Sequence, residues 1–326
     1  MDSSILADKK KATLKKALIT DRVHQHLIVG LEEMGYDVEY KPNITLDQVK
    51  EIIFLYEGIV INSKVKMYKE LIDRSDSLKW IARLGSGLEI IDIPYAKSKG
   101  IAVVNSPEGN RNALAEHCLG MLLALCNNML SADREVREFR WNREANRGIE
   151  IAGKTIGIIG YGQMGSAFVS KVSSWPLDIV VYDKFKKLSF DEQPNIKIVC
   201  ESEVWSKADI ISIHLPYNDD THHLINKANI DRCKDGVIII NSSRGAIVHT
   251  EDLVKALESG KVSGACLDVY ENEKPNTYTE HERQLYSRLF VMDHVILSPH
   301  IAGWTNEALY KIADTIISKV RCLNLD

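Results

Sequence analysis

Short runs rich in valine and isoleucine alternate with longer amphipathic stretches along almost the whole chain. Parallel strands need a long crossover connection between them, usually a helix, so this alternation is typical of parallel α/β architecture. Most runs are uninterrupted rather than alternately polar, which predicts strands covered by helices on both faces. The predicted strands are KALITD (16–21), GIVINS (58–63), KWIARLG (79–85), IAVVNS (101–106), TIGIIG (155–160), DIVVYD (178–183), ADIISIHL (208–215), GVIIINSS (236–243), GACLDVY (264–270) and VILS (295–298).

Two long helices and one long polar loop stand apart from this alternation. The helices are predicted from about 110 to 130 and from about 304 to 320, where apolar residues recur at helical spacing. The loop ENEKPNTYTEHERQ (271–284) is the longest irregular stretch, and loops of that length are usually functional or mobile.

Composition and length exclude several classes of protein. The chain has 326 residues, of which 45% are apolar and 26% charged, and a formal charge of −4. The length predicts two domains, and the mildly acidic balance argues against a nucleic-acid partner, which usually requires a basic face. Six cysteines without a C-x-x-C pair predict reduced thiols in the cytoplasm and no metal site.

Neither the N-terminus nor any apolar run indicates a membrane or a secretory route. No run reaches the roughly 20 apolar residues that span a bilayer. The N-terminal MDSSILADKKKATLKK is polar and lysine-rich without an apolar core, which predicts a frayed leader rather than a signal peptide.

A glycine-rich turn follows one predicted strand and opens a predicted helix. Gly160, Gly162 and Gly165 have the G-x-G-x-x-G spacing of a dinucleotide-binding turn. The first glycine permits the tight turn, the second lets backbone approach a pyrophosphate, and the third allows close helix–strand packing. The amides of Gln163 and Met164 would then face the phosphates at the helix N-terminus.

The next predicted strand ends in Asp183, at the separation expected for a carboxylate that binds the adenosine ribose hydroxyls. A carboxylate there repels a 2′-phosphate, which favours NAD over NADP. The adjacent Lys184 weakens that preference.

Three polar residues follow later strands of the predicted sheet, where ligands bind in open α/β folds. Each of these residues has a structural alternative. Arg244 could form a salt bridge within the fold, Glu273 could be a solvated carboxylate, and His300 could be a hydrogen-bonded imidazole. Together they supply what dehydrogenation of a hydroxy acid needs: a cation for the carboxylate, a base for the hydroxyl proton, and an acid that charges the base. Glu271 is an alternative to Glu273. Asp268, inside an apolar strand, needs a hydrogen-bonding partner, and a cofactor carboxamide is one candidate.

Six motifs in order resemble those of the D-isomer-specific 2-hydroxy acid dehydrogenases, from about residue 16 to 320. Within that family the chain is most similar to the phosphoglycerate dehydrogenases in their short form, without a C-terminal regulatory domain. The motifs are NSPEGNRNALAEH (105–117), GKTIGIIGYGQMG (153–165), HLPYNDDTHHLIN (214–226), INSSRGAIV (240–248), GACLDVYENE (264–273) and SPHIAGWT (298–305).

The resemblance implies two Rossmann-like parallel-sheet domains. A discontinuous substrate-binding domain, 1–104 plus 298–326, would surround an NAD-binding domain, 105–297. It also implies a homodimer that acts on a small 2-hydroxy or 2-keto acid.

The resemblance also implies residue roles. Arg244 would bind the substrate carboxylate, His300 would be the general acid/base, and Glu273, rather than Glu271, would stabilise the protonated imidazole. Arg244 and His300 would also face the cofactor. Further cofactor contacts would be His214, Leu215, Pro216, Thr221, Ser242, Ser243, Asp268, Ala302 and Gly303. Further substrate contacts would be Ser63, Ser86, Gly87 and Asn110.

One departure from the family bears on the substrate. Where many phosphoglycerate dehydrogenases have Arg-Ser, this chain has Asn62-Ser63, so one expected phosphate ligand is missing. Unless they are plain surface charges, alternative cations are Lys64, Lys66, Arg83 and, across a dimer, Arg143.

Three functions follow from these features. The first is NAD-dependent oxidation of 3-phosphoglycerate to 3-phosphohydroxypyruvate, in serine biosynthesis. The second is reduction of glyoxylate, hydroxypyruvate or another 2-keto acid by NADH. The third, of another class, is an NAD-sensing interaction protein like the corepressors that share this fold. The third predicts loss of Arg244, Glu273 or His300, and the chain retains all of them.

Overall fold

A computed structural model of the chain describes residues 15–186, 189 and 195–323. Most of the predicted leader lies outside these residues. The strands are β1 (Lys15–Ile19), β2 (Tyr36–Tyr40), β3 (Gly58–Ile61), β4 (Trp80–Arg83), β5 (Ala102–Asn105), β6 (Thr155–Ile159), β7 (Asp178–Tyr182), β8 (Ile196–Ile198), β9 (Ile210–Ile213), β10 (Val237–Asn241), β11 (Val262–Leu267) and β12 (Val295–Leu297).

The α-helices alternate with these strands, as the sequence pattern predicts. They are α1 (Gln25–Glu33), α2 (Leu46–Ile52), α3 (Lys69–Ile72), α4 (Ile93–Ser98), α5 (Pro107–Cys126), α6 (Met129–Arg137), α7 (Gln163–Val172), α8 (Glu201–Lys207), α9 (Lys227–Asp231), α10 (Thr250–Ser259), α11 (Glu280–Phe290) and α12 (Asn306–Arg321). Short 3-10 turns cover Ile53–Leu55, Gly245–Ile247 and Pro275–Thr277.

The chain forms two compact units, each built on one parallel sheet. The first unit contains residues up to 109 and from 309 onward, and the second contains 110–308. The first sheet has the strand order β2-β1-β3-β4-β5, and the second has β12-β11-β10-β9-β6-β7-β8. Two parallel-sheet α/β units, the first of them discontinuous in sequence, confirm the predicted fold class.

The first unit is discontinuous because α12 returns to it. Ile312, Ile316 and Ile317 of this helix are buried in one apolar cluster with Leu27 of α1. Gly30 of α1 lies so close to Ile317 that a Cβ there would come within 2.4 Å of the isoleucine Cδ1. The absence of a side chain at Gly30 therefore lets the two helices pack tightly.

The second sheet is covered by helices on both faces. All residues of β9 and β10 are buried. Along β10, Ile239 belongs to the cluster that includes Val254 of α10, whereas Ile238 and Ile240 belong to the cluster on the opposite face. The uninterrupted apolar runs therefore did indicate strands buried on both faces.

The unit boundaries differ from the predicted domain boundaries. The structure assigns 105–109 to the first unit and 298–308 to the second. The later segment remains with the second unit because the amides of Ile301 and Ala302 each donate to the Asp268 carboxylate, at 2.8 Å. The loop that follows strand β12 therefore belongs to the second unit.

Two predicted elements are also shorter than expected. The first long helix ends at Cys126, and Asn128, with φ 50°, separates it from α6. The predicted loop 271–284 contains a 3-10 turn and the start of α11, which is capped by a reciprocal Thr279–Glu282 capping box. Much of the loop is therefore ordered secondary structure.

Among the helices of the described ranges, none alone is long and apolar enough to cross a membrane. The pair α5 and α6 reaches that length and composition together, but the two helices meet at a bend of 64°.

Candidate active site

The candidate residues of the second unit collect at one edge of its sheet. Because the strands are parallel, their carboxyl ends share an edge, and every strand of this sheet except β8 is followed by a predicted site residue. Gly160 follows β6, Asp183 follows β7, His214 follows β9, Arg244 follows β10, Asp268 and Glu273 follow β11, and His300 follows β12. The strand order reverses at β6, the topological switch point where such folds bind ligands.

Different physical constraints explain why each of the three positions in the turn is a glycine. Gly160 has φ 92°, and a Cβ there would lie 2.4 Å from the His214 carbonyl oxygen. A Cβ at Gly165 would lie 2.0 Å from the Gly160 carbonyl oxygen, so α7 packs directly on the turn. A Cβ at Gly162 would meet no atom of the described chain within 4 Å. Protein packing therefore explains the outer two glycines, whereas the middle one leaves open space.

That open space lies at the N-terminus of α7. Gly162 is the N-cap of this 10-residue helix and supplies no side-chain cap. Gln163 and Met164 form the first turn, and the Gln163 side chain accepts a hydrogen bond from Arg111. Uncapped amides and the positive end of a helix dipole fit a pyrophosphate group.

Asp183 connects the end of β7 to the glycine turn. Its carboxylate accepts hydrogen bonds from the backbone amides of Tyr161 (2.7 Å), Phe185 and Lys186 (both 2.9 Å). Partial burial raises the pKa of Asp183, but these three amides outweigh burial and lower it below its usual value. Lys184 points away into an ion pair with Asp220 at 2.8 Å. The carboxylate is thus charged and already oriented beside the turn.

His214 is a buried neutral imidazole at the end of β9. Burial lowers its pKa to about 3. Its Nε2 lies 2.9 Å from the Ser212 hydroxyl, whereas Nδ1 has no hydrogen-bond partner among the described residues. Buried polar atoms are rarely left unsatisfied, so this nitrogen is consistent with a ligand at the site.

The other predicted cofactor contacts line the same edge. Leu215 lies against Gly160, and the Thr221 hydroxyl donates to the Pro216 carbonyl at 2.8 Å. The Ser242 hydroxyl accepts from Cys118, and the Ser243 hydroxyl donates to the Ile213 carbonyl. These side chains shape the loops after β9 and β10.

His300 and Glu273 form the central pair of the site. The imidazole Nδ1 lies 2.9 Å and 3.1 Å from the two Glu273 carboxylate oxygens. Burial raises the pKa of Glu273, but the hydrogen bond and charge of His300 and the charge of Arg244 lower it below its usual value. The carboxylate is therefore ionised at neutral pH and stabilises a protonated imidazole.

The rival carboxylate has a different partner. Glu271 pairs with His223 Nε2 at 2.5 Å and accepts from the Thr250 amide at 2.8 Å, at the start of α10. The two open candidates are thus separated by geometry: Glu273 contacts His300, and Glu271 anchors a helix.

Arg244 leaves the end of β10 in extended conformation. Its Nη1 donates to the Ser243 carbonyl at 2.6 Å, and the Asn241 side chain donates to the Arg244 carbonyl at 3.0 Å. The guanidinium is half-buried and acts electrostatically on Glu273. A cation in this position can hold a carboxylate beside the imidazole.

Asp268 has hydrogen-bonding partners within the protein. It is 1% exposed, and its carboxylate accepts from the Ser298 hydroxyl (2.6 Å) and the amides of Ile301 and Ala302 (both 2.8 Å). Its carbonyl accepts from the His300 amide at 2.8 Å. The buried acid therefore holds the loop that carries His300.

The structure also locates the remaining predicted residues. Asn110 packs against Gly303, where a Cβ would come within 2.6 Å of the asparagine Nδ2. Ser63, Ser86 and Gly87 lie in the first unit, and the Ser86 carbonyl accepts from Asn105 at 2.7 Å.

Three of the four alternative cations contact other residues of the chain. Lys64 donates to the Pro42 carbonyl at 2.6 Å and lies 3.9 Å from Asp21, and Lys66 lies over the Tyr68 ring. The Arg83 guanidinium covers Gly85, and Arg143 is exposed.

Sequence reasoning missed two residues of the site's surroundings, His117 and Ser298. His117 Nε2 lies 2.9 Å from the Ser298 hydroxyl, across 181 positions of sequence. Both lie inside motifs that were recognised, but no local pattern signals a contact over such a separation.

Comparison with known proteins identifies the class to which this fold and site belong. Residues 119–302 match the model described as "D-isomer specific 2-hydroxyacid dehydrogenase, NAD binding domain". The chain belongs to this family, and the match supports NAD as its cofactor.

Similar individual proteins have different names. The chain is 34% identical over 305 residues to a D-3-phosphoglycerate dehydrogenase of Archaeoglobus fulgidus, covering 94% of this chain but 56% of that protein. It is 32% identical to a hydroxypyruvate reductase of Thermotoga maritima, covering 92% of this chain and 94% of that protein. A crystal structure of D-lactate dehydrogenase from Aquifex aeolicus with NAD and lactic acid superimposes with a TM-score of 0.82 at 27% identity, covering 94% of this chain and 95% of that one. The chain thus spans only about half the length of the first of these relatives.

Proposed function

We propose that this chain is an NAD-dependent oxidoreductase of D-2-hydroxy acids, and that it oxidises 3-phosphoglycerate to 3-phosphohydroxypyruvate. The observation that carries the proposal is the His300–Glu273 pair, within the field of Arg244, at the sheet edge that also bears the glycine turn. The family match and the dehydrogenase relatives support it.

The chain's own residues account for the proton and the substrate charge. Arg244 binds the substrate carboxylate and orients the reacting carbon. His300 accepts the hydroxyl proton during oxidation and returns it during reduction, while Glu273 stabilises the imidazolium. When bound, the nicotinamide supplies the hydride acceptor.

The residues of the glycine turn fit the rest of the cofactor. Gly162 provides room for the pyrophosphate at the N-terminus of α7, and the ionised Asp183 is suited to the ribose hydroxyls. His214 Nδ1 offers a further buried polar contact.

A second substrate class is supported by a specific observation. The hydroxypyruvate reductase matches over nearly its whole length. In addition, Lys64, one of the alternative phosphate ligands, contacts the Pro42 carbonyl and lies near Asp21. We therefore hold reduction of hydroxypyruvate or glyoxylate as the alternative, with the same catalytic residues.

Removing positive charge near the ends of β3 and β4 should show whether the substrate is the phosphorylated acid or the unphosphorylated one. If the substrate is phosphorylated, Lys64→Met with Arg83→Met raises KM for 3-phosphohydroxypyruvate roughly tenfold or more, because a charged hydrogen bond is worth about 1.5–3 kcal/mol. KM for glyoxylate should change little. Steady-state assays with both acids measure this, with Lys97→Met on α4 as the control.

Unchanged turnover of the phosphorylated acid together with faster reduction of glyoxylate would exclude phosphoglycerate as the substrate.

Asp183 is expected to determine the cofactor preference. Asp183→Ala should weaken NAD binding roughly tenfold and narrow the preference over NADP, because the carboxylate no longer binds the ribose or repels a 2′-phosphate. Asp220→Ala removes a nearby exposed carboxylate and serves as the control. If titration calorimetry gives the same NAD/NADP ratio for Asp183→Ala and the unmodified protein, the ribose contact lies elsewhere.

A homodimer is part of the proposal. Large apolar side chains are exposed on α6 and the segment after it, including Phe139 (100%) and Trp141 (76%). Exposed large apolar side chains of this kind suit contact with a second copy of the chain. Analytical ultracentrifugation should give a dimer, and Phe139→Asp with Trp141→Asp should shift it toward monomer, whereas the exposed Val291→Asp should not. If the unmodified protein sediments as a monomer, the proposed homodimer is wrong.

We assign the protein to the cytoplasm. All six cysteines are free thiols, and four of them are buried, which suits a reducing compartment.

A further inference from the structure

The loop that carries His300 has an unusual backbone. His300 has φ 55°, a left-handed conformation that non-glycine residues adopt rarely and only at a cost in free energy. The surrounding contacts must therefore hold the residue in place. They come from Asp268, whose carbonyl accepts the His300 amide and whose carboxylate accepts the amides of Ile301 and Ala302.

A hydrogen-bonded chain extends from this carboxylate to the long helix α5. The Ser298 hydroxyl donates its single proton to the Asp268 carboxylate at 2.6 Å. The same hydroxyl must then accept from His117 Nε2 at 2.9 Å. The imidazole Nε2 thus carries the proton in this tautomer, and it lies 3.7 Å from Asp268 Oδ1.

The chain runs in one direction and ends at a buried carboxylate. Hydrogen bonds in a low-dielectric environment are strong, and their order fixes each donor. The Tyr270 hydroxyl adds a further restraint, since it donates to the Ser298 carbonyl at 3.1 Å. Asp268, Ser298 and His117 therefore connect α5 to the loop that bears the imidazole.

We propose that His117 and Ser298 are positioning residues, which act through Asp268 to hold His300 in the orientation that pairs it with Glu273. This inference rests on the proposed function, because it assigns His300 as the acid/base. It predicts that the pair contributes to kcat rather than to cofactor binding. Small displacements of a catalytic group are costly: about 1 Å can lower turnover by about 100-fold.

The test compares Ser298→Ala and His117→Leu with His117→Gln. Glutamine keeps an amide donor near the position of Nε2, whereas leucine removes it. His281→Leu, an exposed histidine on α11, is the matched control. Each full-length variant is assayed for kcat and KM with NADH and a 2-keto acid, for NADH affinity by fluorescence, and for amide hydrogen exchange by mass spectrometry.

The expected result is a loss of kcat of about tenfold in Ser298→Ala and His117→Leu, with KM and NADH affinity within about twofold of the unmodified protein. His117→Gln should recover most of the loss. Exchange should accelerate selectively in the peptide that contains Ile301 and Ala302, by about tenfold, and not in β6.

Unchanged kcat in both loss variants would overturn the proposal, and so would unchanged or uniformly faster exchange. If the unmodified protein turns over none of the acids, the proposed function fails by that result alone. Hydrogen exchange then still decides whether His117 and Ser298 hold the His300 loop.

Discussion

Replacing His300 with asparagine is expected to lower kcat at least ~100-fold while NADH affinity changes little, because a general acid/base contributes about 100- to 10,000-fold to turnover. Asparagine keeps a hydrogen-bonding group near Nδ1, so Glu273 retains a partner, but it cannot take up the substrate proton. The measurement is steady-state reduction of a 2-keto acid by NADH, together with NADH fluorescence titration.

The control for this variant is His281→Asn on α11, which should leave both quantities unchanged. Near-normal turnover of His300→Asn would remove the imidazole from the mechanism. A loss of NADH binding as large as the loss of kcat would instead mean that the residue acts through the cofactor.

Substitution of Gly162, the middle glycine of the turn, is expected to have the second large effect, which is on NADH binding. Gly162→Ala should leave the fold intact, since a Cβ there meets no atom of the described chain within 4 Å. It should nevertheless weaken NADH binding roughly 10- to 100-fold, because the methyl group displaces the pyrophosphate from the helix N-terminus and each charged hydrogen bond is worth about 1.5–3 kcal/mol. Calorimetric titration and urea unfolding measure the two quantities separately.

Substitutions at two other glycines serve as controls for Gly162→Ala. Gly120→Ala on α5 also adds a Cβ in open space and should bind NADH normally, with helix stability raised by about 1 kcal/mol. Gly165→Ala should lower the free energy of unfolding by about 1–3 kcal/mol, since its Cβ would lie 2.0 Å from the Gly160 carbonyl oxygen. If Gly162→Ala binds NADH as tightly as Gly120→Ala does, the pyrophosphate does not approach this turn.

The architecture was largely predictable because buried parallel strands leave a strong local signal. Runs such as VIIIN in β10 are apolar throughout, since helices cover both faces of the sheet. The edge strands β2 and β8 were missed for the opposite reason. Their sequences, YDVEY and IKI, are only partly buried and contain charged residues, which blunt an exposed sheet edge but obscure the strand pattern.

The candidate site was predictable where a residue lies shortly after the end of a strand. Arg244, Glu273 and His300 each follow a recognisable apolar run, and parallel strands bring such residues to one edge. The partners of Asp268 were not predictable in this way, because the contacts with Ser298 and Ala302 depend on the conformation of a loop that is distant in sequence. The separation of Glu271 from Glu273 likewise depends on where His223 and the start of α10 lie.

The central claim is that the chain transfers hydride between NAD and D-2-hydroxy acids. Its most direct test follows NADH absorbance with the purified chain and 3-phosphohydroxypyruvate, hydroxypyruvate or glyoxylate, and the reverse reaction with the D and L enantiomers of 3-phosphoglycerate and glycerate. We predict oxidation of NADH by at least one of these keto acids and reverse turnover of the D enantiomer alone. NADH binding without turnover of any of them would contradict the claim and favour a nucleotide-sensing interaction protein.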